Sequence, residues 1–216
     1  MKARHLFLFA LLVAIAAASS AQAQEAAACN PDIIVVAGLE NRVFTEPDKY
    51  WGDPADFGNT AAWILAFRLM LDTKRPVVVV SAPKMPVFVG DEVDLEAARF
   101  AAGFAGGCTL VVGAVTQAIV DTKRTVNLME QSKKFNISTT ARLAMVDLRS
   151  GKTVINAVFD GNHETSSIIY EILDKDKHYV FSIDPIMAGG SPLGVPFTRM
   201  YHTFGMQVAG VLGASE

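Results

Sequence analysis

The chain predicts an α/β (α+β) domain: a β-α-β-α-β unit followed by an antiparallel meander, giving a mixed sheet with helices packed on it. Three observations carry that expectation. Residues 33–38 (IIVVAG), Val77–Val80 (VVVV) and 110–112 (LVV) are apolar without alternation, as in strands covered on both faces. Between them lie two segments of helical pattern, 55–74 and 91–106. Beyond the third run, two Thr- and Val-rich segments, 137–148 and 153–159, flank Arg149-Ser150-Gly151-Lys152, a tight turn with glycine where positive φ is needed.

Taken in order, residues 1–23 read as a secretory signal. Lys2 and Arg4 form a basic start, 6–18 is a short apolar run, and Ala21-Gln22-Ala23 is a small-x-small cleavage site. The remainder, 24–216, reads as one domain, with length enough for a proper core. The whole chain has a net charge of −3; removing the two basic residues of the signal makes it −5. That balance argues against nucleic acid or an anionic membrane as the main partner.

Pro31 leads into the first strand, 33–38, which ends at Glu40-Asn41-Arg42. A turn-rich loop follows, carrying Phe44, Tyr50 and Trp51. Two readings of these aromatics compete: a lid on the core, or a partner-facing patch on a scaffolded loop. The helix 55–74 carries Ala61, Ile64, Leu65, Arg68, Leu69 and Leu71 on a broad stripe, with Asp53 or Asp56 to cap it and Pro76 to end it. Val77–Val80 is a second buried strand. A helix over 91–106, acidic in its first turn, leads to the central strand at 108–118. Residues 119–135 extend that strand and return as a hairpin bearing Lys123-Arg124 and Lys133-Lys134. Asp160-Gly161-Asn162 ends the last meander strand. A charged turn, 174–177, divides 167–173 from 178–183, and 196–212 has the spacing of a final helix.

Cys29 and Cys108 precede the first and third strands. If those strands are parallel neighbours, both cysteines lie at one end of the sheet, where a disulfide is reasonable in an oxidising compartment. The competing reading makes Cys29 a lipid-bearing N-terminus, although seven residues, 19–25, separate its Ala-rich approach from the apolar run.

Glu40-Asn41-Arg42, the step 113–116, and Val146-Asp147-Leu148-Arg149-Ser150-Gly151-Lys152 together resemble the CsgG-type (curli-secretion) periplasmic domain. That fold is shared with the N-terminal domain of TolB, with LpoB-like synthase activators and with the middle domain of FlgT. The resemblance covers about residues 33–160. It implies a periplasmic protein, associated with the outer membrane in some relatives, that serves curli, flagellar or cell-wall machinery. The chain departs from the curli-secretion protein itself. Its cysteine is not adjacent to the apolar run, and 119–137 and 166–183 lack the clean apolar-out alternation that membrane strands need.

No nucleophile–base pair, phosphate loop or dinucleotide motif is present, and His163, His178 and His202 are not spaced as metal pairs. No cofactor, catalytic residue or metal ligand is expected. The leading expectation is a non-enzymatic periplasmic accessory protein. It would bind an envelope protein through Phe44, Tyr50 and Trp51 or, failing that, the 119–135 hairpin, with self-association as a further mode. The alternatives are an exported α/β hydrolase or small-ligand binder using the strand-end cluster Glu40, Asn41 and Arg42, and a CsgG-like pore component.

Overall fold

The computed structural model describes residues 29–48, 50–80, 87–102, 105–126, 131–166 and 192–213. The signal, 1–23, and the hairpin over 167–183 lie outside these residues.

The main sheet runs in the order β3 (Val77–Val80), β1 (Asn30–Ala37), β6 (Gly107–Val126), β7 (Gln131–Asp147), β8 (Lys152–Thr165), with the short β2 (Glu40–Asn41) also on β6. β1 pairs in parallel with β3 and β6, whereas β6, β7 and β8 are antiparallel. The mixed sheet and the neighbouring first and third predicted strands are therefore as expected. Helices α1 (Pro54–Thr73) and α3 (Gly194–Gly213) cover one face, over Ile34, Val36, Val111 and Val115. Helix α2 (Leu95–Ala102) and the hairpin β4 (Phe88–Val89)–β5 (Glu92–Val93) cover part of the other, over Val35, Leu110 and Val112. Leu110, Val111 and Val112 are fully buried, which explains why the central run shows no alternation.

Asp53 caps α1, its Oδ1 accepting from Ala55 N–H at 2.8 Å, and Lys74 closes the helix in the left-handed region at φ 59°. Gly151, at φ 66°, completes the β7–β8 turn, where Asp147 accepts from Arg149 N–H and Ser150 Oγ.

Four expectations are corrected. The helix over 91–106 begins at Leu95. Gly90 and Asp91 turn the β4–β5 hairpin and Glu92 opens β5 instead, and Asp94 caps the helix by accepting from Glu96 and Ala97 N–H at 3.0 Å each. Val77–Val80 is an edge strand among the described residues, flanked there by β1 alone, and Val78 is exposed. Leu71 faces away from the core. Asp160-Gly161-Asn162 does not end β8; it continues to Thr165, pairing with β7 as far as Phe135. Glycine at 161 serves close packing there, since a Cβ would overlap the carbonyl of Pro196 at the start of α3.

Cys29 and Cys108 form a disulfide with Cα atoms 5.0 Å apart, at one end of the parallel β1–β6 pair. This is the pairing that the sequence reading placed there, and it commits the Cys29 sulfur within the chain.

Candidate interaction surface

The polar cluster at the end of β2 is a clamp. Asn41 Oδ1 accepts from the N–H groups of Val43 (3.0 Å) and Phe44 (3.4 Å), and its Nδ2 donates to the carbonyls of Phe44 (3.0 Å) and Pro54 (3.3 Å). One amide thus satisfies the loop at both ends. Glu40 accepts from Val87 N–H through Oε1 and from Arg42 Nε through Oε2, at 2.8 Å for the arginine. The Arg42 guanidinium lies 5.9 Å from the Phe88 ring centroid, tying β2 to β4. These atoms are engaged within the fold. Asn41→Ala should lower unfolding stability by about 2 kcal/mol, because part-buried donors and acceptors lose their partners. Asn41→Asp, which keeps only the acceptor, should fall between, as read from urea-unfolding midpoints.

The aromatic loop goes inward, which corrects the partner-facing reading. Asp48 Oδ1 accepts from Tyr50 N–H (2.7 Å) and Trp51 N–H (3.0 Å), and Asp48 bridges to Gly52, so the chain turns sharply under its own polar side chain. Tyr50 and Trp51 are buried and Phe44 packs against the same core. The Trp51 indole N–H donates to the carbonyl of Ala118 at 3.1 Å. Its ring meets Phe57 and Phe197 edge-on at 6.0 and 5.8 Å, and Phe44 meets Phe57 at 4.9 Å. The loop therefore joins α1, α3 and β6, and Tyr50 and Trp51 are not exposed anchors.

Among the described residues two aromatics stand exposed, Phe100 on α2 and Trp63 on α1. Phe57, Ala61, Ile64, Leu65 and Leu69 face the sheet, while Trp63, Met70 and Leu71 stand 48%, 43% and 40% exposed. Positions 63, 67, 70 and 71 share one side of a helix, so α1 is apolar on both its inner and its outer face. Sequence reading missed this because a stripe was sought on one face only. The signal was present in Trp63, Phe67 and Met70, which do not fit the inward set.

The ionisable groups serve packing. Arg68 grips Asp72 through Nε and Nη2 at 2.9 and 2.7 Å, and His202 Nδ1 lies 3.2 Å from both Asp72 oxygens, joining α1 to α3. Burial, aided by the nearby Arg199 guanidinium, lowers the His163 pKa and favours its neutral imidazole. Burial alone pushes the Tyr201 phenol well up. Among the described residues no group of three or more His, Cys, Asp or Glu side chains is placed to hold a metal, and no helix is long and apolar enough to cross a membrane.

Neither a family model nor a curated protein matches the chain. Among solved structures it is similar to the hypothetical protein CT253 from Chlamydia trachomatis, with TM-score 0.53 and 13% identity over 86% of this chain and 99% of that one. At that identity the likeness establishes a shared fold. Looser overlaps are with a PelC dodecamer from Paraburkholderia phytofirmans (TM-score 0.42, 14% identity, 82% of this chain and 87% of that one) and a minor lipoprotein from Acinetobacter baumannii (0.35, 6%, 82% and 93%).

Proposed function

We propose that this chain is an exported, non-enzymatic accessory protein of the bacterial cell envelope, acting by docking another protein on the outer face of α1. The observation that carries the reading is Trp63, nearly half exposed on a rigid helix with Met70 and Leu71 beside it. A tryptophan buries a large area at little rotamer cost, and such anchors dominate protein interfaces. The Cys29–Cys108 bridge and the signal-like segment 1–23 favour an oxidising, extracytoplasmic setting. The resemblance to CsgG-type, TolB N-terminal, LpoB-like and FlgT middle domains points to secretion, flagellar or cell-wall machinery.

A photo-crosslinking amino acid at position 63 should give one dominant envelope adduct, and one at exposed Thr203 on α3 should not. An adduct of the chain with itself would identify a second copy as the partner. Trp63→Ala with Met70→Ala should abolish that adduct when the probe sits at Leu71, while changing stability by only about 0.5 kcal/mol, as exposed substitutions do. No adduct at 63, or an unchanged one in the double variant, would overturn the reading.

A further inference from the structure

The outer side of α1 carries a charge at each end and apolar side chains between. At about 100° per residue, Asp56, Trp63, Phe67 and Met70 fall within roughly 60° of arc, and Lys74, just past the last turn, continues the line. Asp56, Trp63, Met70 and Lys74 are exposed and Phe67 is half-buried. The other charges of this helix are engaged within the molecule. Asp53 caps the first turn, and Arg68 pairs with Asp72 at 2.7 Å. Asp56 and Lys74 make no ion pair among the described residues. An acid in the first turn and a base beyond the last suit the helix dipole. The dipole does not require that both stand in line with an exposed tryptophan.

Two such stripes complete one another when the helices run antiparallel. Asp56 and Lys74 are equidistant in sequence from Leu65, and so are Trp63 and Phe67. A two-fold axis level with Leu65 therefore sets Asp56 of each copy against Lys74 of the other, and Trp63 of each against Phe67 of the other. Met70 then falls about 4.5 Å along the axis from the second copy's Trp63, less than one turn away. A parallel arrangement would oppose Asp56 to Asp56 and Lys74 to Lys74 instead. The two charged ends stand about 27 Å apart along one helix, so only a helix of similar length meets both.

We infer that the partner on the outer face of α1 is a second copy of this chain, held in an antiparallel, two-fold α1–α1 interface, an assignment that rests on reading that face as the docking surface. Charge complementarity chooses the occupant. A two-fold interface uses the same patch on both copies, so the patch must complement itself. This one does, with opposite free charges at its two ends and aromatic residues about its middle. A helix from a different protein would need none of that symmetry. Trp63 packed on Phe67 supplies the buried apolar area. The exposed ion pairs add little affinity each but fix the direction of packing.

The test is analytical sedimentation of the exported chain, residues 24–216, with the disulfide intact. The wild-type chain should be mostly dimeric at about 10 μM, as for a dissociation constant near or below about 1 μM. Trp63→Ala should weaken the dimer at least about thirtyfold, the effect of losing a central anchor. Asp56→Lys alone and Lys74→Asp alone should each weaken it about tenfold, because each sets two like-charged pairs across the axis. Mixing these two variants should restore association as a heterodimer, since every facing pair is then opposite in sign. A purely local effect of either change on α1 would not be repaired by mixing. A wild-type chain still monomeric at about 0.1 mM would overturn the inference. So would a dimer indifferent to Trp63→Ala, or two charge variants that fail to associate when mixed. A monomer whose crosslinking probe at position 63 still captures another envelope protein would overturn the second copy alone. Absence of any adduct at 63 would remove the docking face as well.

Discussion

Truncating Trp51 to alanine should cost about 4 kcal/mol of unfolding free energy, within the range for large aromatic core deletions. The side chain is only 4% exposed and fills the space between Phe57 and Phe197. Its removal leaves a cavity that three separate elements line, and these cannot close together without moving α1 or α3. It also strips the donor from the Ala118 carbonyl, which adds the penalty of an unpaired acceptor. A domain of this size has about 5–15 kcal/mol in total, so the variant should unfold at much lower urea or temperature. Tyr50→Ala combined with Trp51→Ala should be worse still. An interface role would give the opposite pattern, with unfolding midpoints unchanged and partner binding lost; equal midpoints would remove Trp51 from the core.

Replacing both Cys29 and Cys108 by serine should cost a similar amount, about 4 kcal/mol in the chain-entropy account, because the bridge spans 79 residues of sequence. The native sheet should survive. β1 is held by β3 on one side and β6 on the other, so its register does not depend on the bridge. The loss therefore belongs largely to the unfolded state, whose ends are released. Reductant should move the wild-type urea midpoint to that of the double variant and leave the variant unaffected. If Cys29 carried a lipid instead, reductant would change neither, and intact mass would show the added acyl chains.

These two predictions sit on opposite sides of what was legible in the chain. The disulfide was readable because strand order and strand ends follow from local pattern. Two unalternated apolar runs joined through helical segments become parallel neighbours, and cysteines just before each run then share an end of the sheet. The loop carrying Tyr50 and Trp51 was not readable, because an apolar side chain does not reveal which surface will cover it. The indole's acceptor, Ala118, lies 67 residues away on β6, and the two meet only in the assembled fold.

The same division holds elsewhere. The central strand, the Gly151 turn and the final helix are matters of period and turn chemistry, and the residues themselves determined them. Leu71 and Trp63 carried the right helix but not its orientation, since α1 is apolar on both faces and only contact with the sheet and α3 chose the buried one. The edge position of Val77–Val80 came from the strand order. The continuation of β8 past Gly161 came from pairing with β7 and from the close seat of Pro196. The facing pairs of the long β6–β7 ladder depend on its register, including the shift between Val115 and Gln117. A one-residue slip there would move every side chain of one strand to the other face, and that choice is made only when the two strands meet.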